Sequence, residues 1–324
     1  METLKIGVIG TGHMGTNHIR NISDEKRFEF VGIYDLDYEH ASSLAAQYGT
    51  RAYRSMEDLL KEITAVVIAV PSSLHKEVGL KAAEYGVHAL IEKPLATNSK
   101  DAEILINAFE DAGLKLQVGH IERFNAVVQE TKKLLDGEKV FYIEAHRYSA
   151  FSGSGRIKDV SVIEDLMIHD IDLVCDFMEP ATVTDIRGNG ESVRSDNVDF
   201  ATCMLEFSTN SHAVINASRV SQSKARTIEI HTADSVIVAD LLNKTLTVTR
   251  GTEIMVGNDP SKAYKQDAIV QKIFVPIIEP LRAELKSFYE AVVTGEDVLV
   301  DGKVALRAIR ICEKTFERST HERA

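Results

Sequence analysis

Gly10-Thr11-Gly12-His13-Met14-Gly15 spells G-x-G-x-x-G, and its surroundings restrict the fold more than any other stretch of the chain. Before it, Leu4 to Ile9 is a short apolar run rich in β-branched residues, the pattern of a buried parallel strand. After it, Thr16 to Ile22 reads as a helix, and Phe28 to Tyr34 as a second strand running into Asp35. The first glycine permits the tight turn, the second lets a pyrophosphate approach the backbone, and the third lets helix and strand pack closely. The N–H groups and positive dipole end at the helix start favour an anion. Asp35, about 20 positions beyond the glycines, stands where an acid meets ribose hydroxyls and repels a 2′-phosphate. The pattern predicts a dinucleotide site that prefers NAD, with Gly10, Thr11, Gly12, His13, Met14, Gly15 and Asp35 as contacts. A purely structural glycine turn, with Asp35 capping the next element, is the competing reading.

Apolar strands and amphipathic helices continue to alternate up to Lys115–Gly119, which predicts a doubly wound parallel sheet of the Rossmann type. The pattern then changes. Arg123 to Asp136 reads as a helix, Lys139 to Ser149 as an alternating strand, and about Val162 to Met178 as another helix. Between Ala181 and Arg250 five or six strands follow in series, and two helices, Pro280 to Thr294 and Gly302 to Thr315, close the chain. Strands in series indicate a mostly antiparallel open sheet. The expected division is residues 1–121 as the NAD-binding domain and 122–324 as an α+β domain for substrate and oligomerisation. Val236, Val238 and Val248 are candidates for an exposed sheet face, so a homodimer or homotetramer is expected.

The 37 basic and 49 acidic residues leave a net charge of −12, which disfavours binding to nucleic acid. No apolar run approaches the roughly 18 residues of a membrane helix, and the first strand starts at once, leaving no room for a signal peptide. Cys175, Cys203 and Cys312 are odd in number and widely spaced, the pattern of reduced core thiols. A cytoplasmic protein is expected.

In such a sheet the reactive end of a nucleotide cofactor lies beyond the carboxyl ends of the strands. Pro71, Ser72 and His75 follow one strand, Glu92 and Lys93 another, and His120 to Asn125 a third. Lys93 can hydrogen-bond a substrate oxygen or work with a lowered pKa, although spacing alone equally allows a solvated lysine. In the later helix Asp165 and His169 are four residues apart and so share a face, with Asp172 nearby. A carboxylate raises an imidazole pKa and fixes its tautomer, as a general base requires, but a structural Asp–His pair has the same spacing. A metal site is disfavoured because no second histidine shares this helix.

The glycine turn, Glu92-Lys93-Pro94, and the Asp165–His169 helix ahead of a strand-rich region resemble, in that order, the Gfo/Idh/MocA oxidoreductase family. The resemblance implies that Lys93, Asp165 and His169 line the nicotinamide and the sugar as the catalytic set. It departs at Ser72, where the family often has Asn. Val118 to Asn125 and Arg156 to Val160 further resemble the branch acting on the 3-hydroxyl of UDP-N-acetylglucosamine, with Ala126 and Ser161 where that branch has Pro and Gly. Arg123, Asn125, Arg156, Asp165 and His169 are then the substrate contacts, with Tyr148 a further candidate for the uracil. The alternatives are a dehydrogenase of a free polyol such as an inositol, and a non-catalytic NAD-binding regulator.

Overall fold

The computed structural model describes residues 3–150, 160–254 and 265–321. In chain order the elements begin β1 (Leu4–Ile9), α1 (His13–Ser23), β2 (Phe28–Tyr34), α2 (Tyr38–Gln47), β3 (Arg51–Tyr53), α3 (Met56–Leu60) and β4 (Ala65–Ile68). They continue with α4 (His75–Glu84), β5 (His88–Glu92), α5 (Ser99–Asp111), β6 (Leu116–Gly119), α6 (Ala126–Leu135), β7 (Val140–Tyr148) and α7 (Ile168–Phe177). The strands β8 (Val183–Glu191), β9 (Phe200–Phe207), β10 (His212–Ser218), β11 (Ala225–Thr232), β12 (Val236–Asp240), β13 (Thr245–Ile254) and β14 (Lys265–Ile273) follow. Helices α8 (Pro280–Thr294) and α9 (Gly302–His321) come last. The chain divides into two compact units, Met1–Phe124 with Ile278–Arg310, and Asn125–Ile277 with Ile311–Ala324.

The first unit contains a parallel sheet of order β3-β2-β1-β4-β5-β6. Its central strands are apolar on both faces because helices cover both, and Ile6, Val8, Val67 and Leu90 are fully buried. Helix α8 returns to this unit although it lies some 160 residues beyond β6. Leu285, Phe288 and Tyr289 join the cluster of Leu4, Ile19 and Phe28, and the Tyr289 ring meets Phe28 edge-on at 5.9 Å. The spacing of Leu281, Leu285 and Phe288 makes that buried stripe, Pro280 opens the helix, and Gly295 ends it at φ 79°. The two closing helices, expected in the second domain, thus begin in the first unit. Helix α5 is capped by Asn98, whose side chain accepts the Asp101 N–H at 2.9 Å. Asn98→Ala should lower unfolding free energy by about 1 kcal/mol, measured by urea titration.

The second unit carries the sheet β14-β13-β12-β11-β7-β10-β9-β8, antiparallel except where β7 pairs with β10. Along β7, Ile143, Ala145 and Arg147 are buried, whereas Tyr142, Glu144, His146 and Tyr148 occupy the opposite, half-buried face. Arg147 makes a two-pronged pair with Asp170 of α7, both bonds 2.8 Å and both residues buried. Geometry of this kind lets a desolvated pair survive. Asp199 is held by the N–H groups of Val193, Arg194 and Ser195 and by Arg219 at 2.7 Å. Despite the cost of burial, these donors pull its carboxyl far below the usual range.

Three features differ from the sequence reading. Strand β14 was not anticipated, because Ile269 and Val270 are adjacent and exposed rather than alternating. Val248 is buried, not on the open face, since the antiparallel register sets it opposite Ile237, while Val236 and Val238 face Thr249 and Thr247. The helix expected from Val162 opens as a wider π turn, Ile163–Met167, before α7. All three cysteines are free thiols and buried.

Candidate active site

The turn between β1 and α1 has the shape its glycines imply. Gly10 has φ +94°, and a Cβ there would lie 2.6 Å from the Ala69 carbonyl oxygen. A Cβ on Gly15 would lie 1.9 Å from the Gly10 oxygen, so this glycine is required for the helix to pack down. Gly12 is different: a Cβ there would meet nothing within 4 Å. The backbone at Gly12 therefore borders open space at the N-terminus of α1, where no side chain caps the helix. Open space and uncapped first-turn N–H groups are what an anion such as a pyrophosphate needs.

Asp35 stands beside it. Its Oδ2 accepts the Thr11 N–H at 2.6 Å and the Thr11 hydroxyl at 2.7 Å, and Oδ1 accepts the Asp37 N–H at 2.9 Å. Partial burial opposes the charge, but these donors outweigh it and hold the carboxyl below its ordinary pKa. An anion fixed here is able to accept a ribose hydroxyl through a remaining lone pair and would repel a 2′-phosphate. Asp35→Asn removes the charge and keeps the shape, so the NADP-to-NAD ratio of kcat/KM should rise about tenfold or more. Steady-state rates with the two cofactors measure it.

The residues after β4 and β5 fall into two groups. Pro71 is exposed and Ser72 opens a one-turn helix, Ser72–Leu74. His75 is buried, its Nδ1 2.8 Å from the Pro94 oxygen and its Nε2 3.0 Å from the Val70 oxygen. Expected as a cofactor contact, its ring lies between the end of β4 and the segment after β5, where a neutral imidazole donates its single N–H to one of the two carbonyls. Burial lowers its pKa, and the two carbonyls act the other way. Glu92 also points inward, its Oε1 2.8 Å from His18 Nε2. Burial disfavours its charge, yet the bond to His18, the Lys93 charge and the Lys93 backbone N–H hold its pKa below the usual range. Lys93 itself is half-buried at the strand end.

Arg123 lies in the one-turn helix Ile121–Phe124 and is only 3% exposed. The Asn125 side chain accepts the Val127 N–H at 3.1 Å and caps α6, a structural task its sequence position did not reveal. Arg156 lies outside the described residues. Tyr148 projects to the face opposite Arg147, where its hydroxyl is 2.8 Å from His146 Nδ1.

In the second unit Asp165 lies in the π turn and His169 in the first turn of α7, both half-buried. The N–H of Ile168 reaches back to the Ile163 oxygen, the five-residue step of a π turn. Ser161 and Glu164 cap it reciprocally, with the Ser161 hydroxyl 3.0 Å from Glu164 Oε2. Asp170, next to His169, is taken up by Arg147. Sequence reading passed over Arg147, His18 and Glu284. For Glu284 a signal was present, an acid on the apolar stripe of Leu281, Leu285 and Phe288. Among the described residues no group of three or more His, Cys, Asp or Glu is arranged to hold a metal ion, and no helix is long and apolar enough to cross a membrane.

Residues 4–120 match the profile described as oxidoreductase family, NAD-binding Rossmann fold, and residues 139–238 match the GFO/IDH/MocA C-terminal domain. The chain belongs to the Gfo/Idh/MocA oxidoreductase family. It is 33% identical over 310 residues to UDP-N-acetylglucosamine 3-dehydrogenase of Acidithiobacillus ferrooxidans, covering 95% of each chain. Glucose-6-phosphate 3-dehydrogenase of Bacillus subtilis is 27% identical over 59% of this chain and 57% of its own length. The solved structure of the Acidithiobacillus ferrooxidans enzyme superimposes with a TM-score of 0.89, covering 98% of each chain at 30% identity. The open backbone at Gly12 and the anion at Asp35 fit NAD, and the chain is an NAD-binding oxidoreductase.

Proposed function

We propose that this oxidoreductase removes hydrogen from a secondary alcohol of a sugar, specifically the 3-hydroxyl of a UDP-linked N-acetyl sugar. The observation that carries the substrate class is the end-to-end similarity to a UDP-N-acetylglucosamine 3-dehydrogenase. In this reading NAD supplies the hydride acceptor. His169 takes the hydroxyl proton, with Asp165 four residues before it as its companion acid. Lys93 hydrogen-bonds the same oxygen and stabilises negative charge as it develops there. Arg123, Asn125 and Arg156 are the substrate contacts proposed with it, Asn125 through whatever its capping role leaves available. Pro71 and Ser72 accompany the glycine turn on the cofactor.

The test is to incubate the pure protein with NAD and UDP-N-acetylglucosamine, UDP-N-acetylgalactosamine, glucose 6-phosphate and myo-inositol, following reduced-nicotinamide absorbance. Turnover confined to a UDP-sugar, with a 3-keto product by NMR, supports the reading. Turnover only of the free polyol or the sugar phosphate overturns the UDP-sugar assignment. NAD binding with no turnover on any of them leaves a regulator. The same reading makes the chain a cytoplasmic homo-oligomer of two or four copies. Its support is the half-buried face of Tyr142, His146, Tyr148, Val236 and Val238 on the second-unit sheet. A monomer in sedimentation equilibrium would contradict that.

A further inference from the structure

Glu284 is fully buried in the first unit, and among the described residues neither of its carboxyl oxygens has a hydrogen-bond partner. Its main-chain oxygen is tied to β6 by the Gln117 side chain at 3.2 Å, so the helix cannot rotate the acid away without losing that bond. A bare carboxylate in such a place is among the costliest arrangements available to a protein. The nearby carboxylate, Glu92, is treated quite differently. It accepts from His18 at 2.8 Å and takes the Lys93 backbone N–H, and Gly119 leaves it room, since a Cβ there would lie 3.0 Å from its Oε2. Two carboxyls that interact in one low-dielectric interior, one with donors and one without, hold one charge between them.

We propose that Glu284 is a neutral carboxylic acid that keeps Glu92 the single anion of a buried Glu92–His18–Glu284 cluster, and is thereby a positioning residue for Lys93. It acts through Glu92, whose carboxylate binds the Lys93 backbone and attracts its ammonium charge. Burial and the Glu92 charge both push the Glu284 carboxyl well above its usual pKa, in keeping with that arrangement. The elements packed on α8 bring few other titratable groups: His13, His18 and Arg20 on α1, and Glu122 and Arg123 on the one-turn helix 121–124. Helix α8 itself adds Arg282, Lys286 and Glu290, none of them buried, and the buried phenol of Tyr289. The inference deepens the function proposed above and rests on Lys93 serving the alcohol.

The sign of the linkage follows from the raised pKa. Between the unfolded carboxyl pKa, about 4.3, and the higher folded one, the native state binds the extra proton, so stability falls as pH rises. Glu284→Gln keeps size and neutrality and cannot ionise. Its melting temperature should therefore gain on wild type progressively from acid to alkaline pH. An infrared difference spectrum, wild type minus Glu284→Gln at neutral pH, should contain one protonated-acid C=O band. In Glu92→Gln that band should titrate away at lower pH. For turnover, ionisation of Glu284 beside Glu92 should give wild-type kcat an alkaline limb of about tenfold per pH unit, which Glu284→Gln lacks, while KM for NAD is unmoved. Absence of the acid band overturns the neutral-acid assignment. A band accompanied by identical kcat profiles overturns the positioning role. If no sugar is oxidised by any form, the enzyme reading and the positioning role fail together, and the infrared arm still decides the proton.

Discussion

Lys93→Ala should lower kcat about 10²- to 10⁴-fold while the NAD dissociation constant changes little. Removing the amine deletes a donor at the oxygen that becomes negatively charged, a contact strengthened only as the reaction proceeds. Loss of an interaction made in the transition state appears in kcat, and loss of uniform binding appears in KM. The Lys93 backbone N–H to Glu92 survives the substitution, so the segment should keep its course. Stopped-flow turnover and calorimetric NAD titration on the same preparation separate the effects. Near-normal turnover would remove Lys93 from the mechanism. Weakened NAD binding with intact kcat would reassign it to the cofactor.

The glycines of the first turn offer the second large effect, on stability at Gly15 and on cofactor affinity at Gly12. Gly15→Ala places a methyl 1.9 Å from the Gly10 oxygen, and the turn and helix must move apart. A cost of about 3 kcal/mol is expected, the upper range for overpacking. Gly12→Ala meets no protein atom within 4 Å and sits at φ −63°, which alanine adopts freely. Restricting the unfolded chain favours that variant by about 0.4–1 kcal/mol, and alanine's poorer fit at a helix N-cap offsets it, so stability should change by less than about 1 kcal/mol. Its methyl would nevertheless occupy the approach of the pyrophosphate, so NAD affinity should fall by about tenfold or more, or 1.4 kcal/mol. Thermal denaturation and NAD titration of the two variants read both quantities. Unchanged NAD affinity in Gly12→Ala would place the diphosphate elsewhere.

The glycine turn was legible because its information is local: three glycines, a strand, a helix and an acid within about thirty residues. The parallel sheet was legible for a similar reason, each strand being a short apolar run buried on both faces. Val248 was misjudged because alternation identifies two faces without saying which is covered, and only pairing with Ile237 decides it. Asp165 and His169 were found by a four-residue step, whereas the π turn alters the angular relation that step assumes. His75, Glu92 and Asn125 were expected to face ligands, and each also has a partner inside the protein. Position after a strand marks where a side chain starts, and competition among nearby carbonyls and imidazoles decides where it ends. Glu284 reaches the neighbourhood of Glu92 from 192 positions along the chain, a meeting that no window of sequence contains.

The return of α8 to the first unit has a consequence for how the molecule is made. On a ribosome, β1 to β6 emerge early, yet Phe28 and Ile19 must wait for Leu285, Phe288 and Tyr289 before their apolar cluster is complete. The intervening stretch, from Asn125 to Ile277, is synthesised in that interval, and its own unit waits in turn for Ile311–Ala324. A nascent chain stalled before residue 278 should therefore present two unfinished units, each still lacking helical residues from the end of the chain, the form in which a chaperone would meet it.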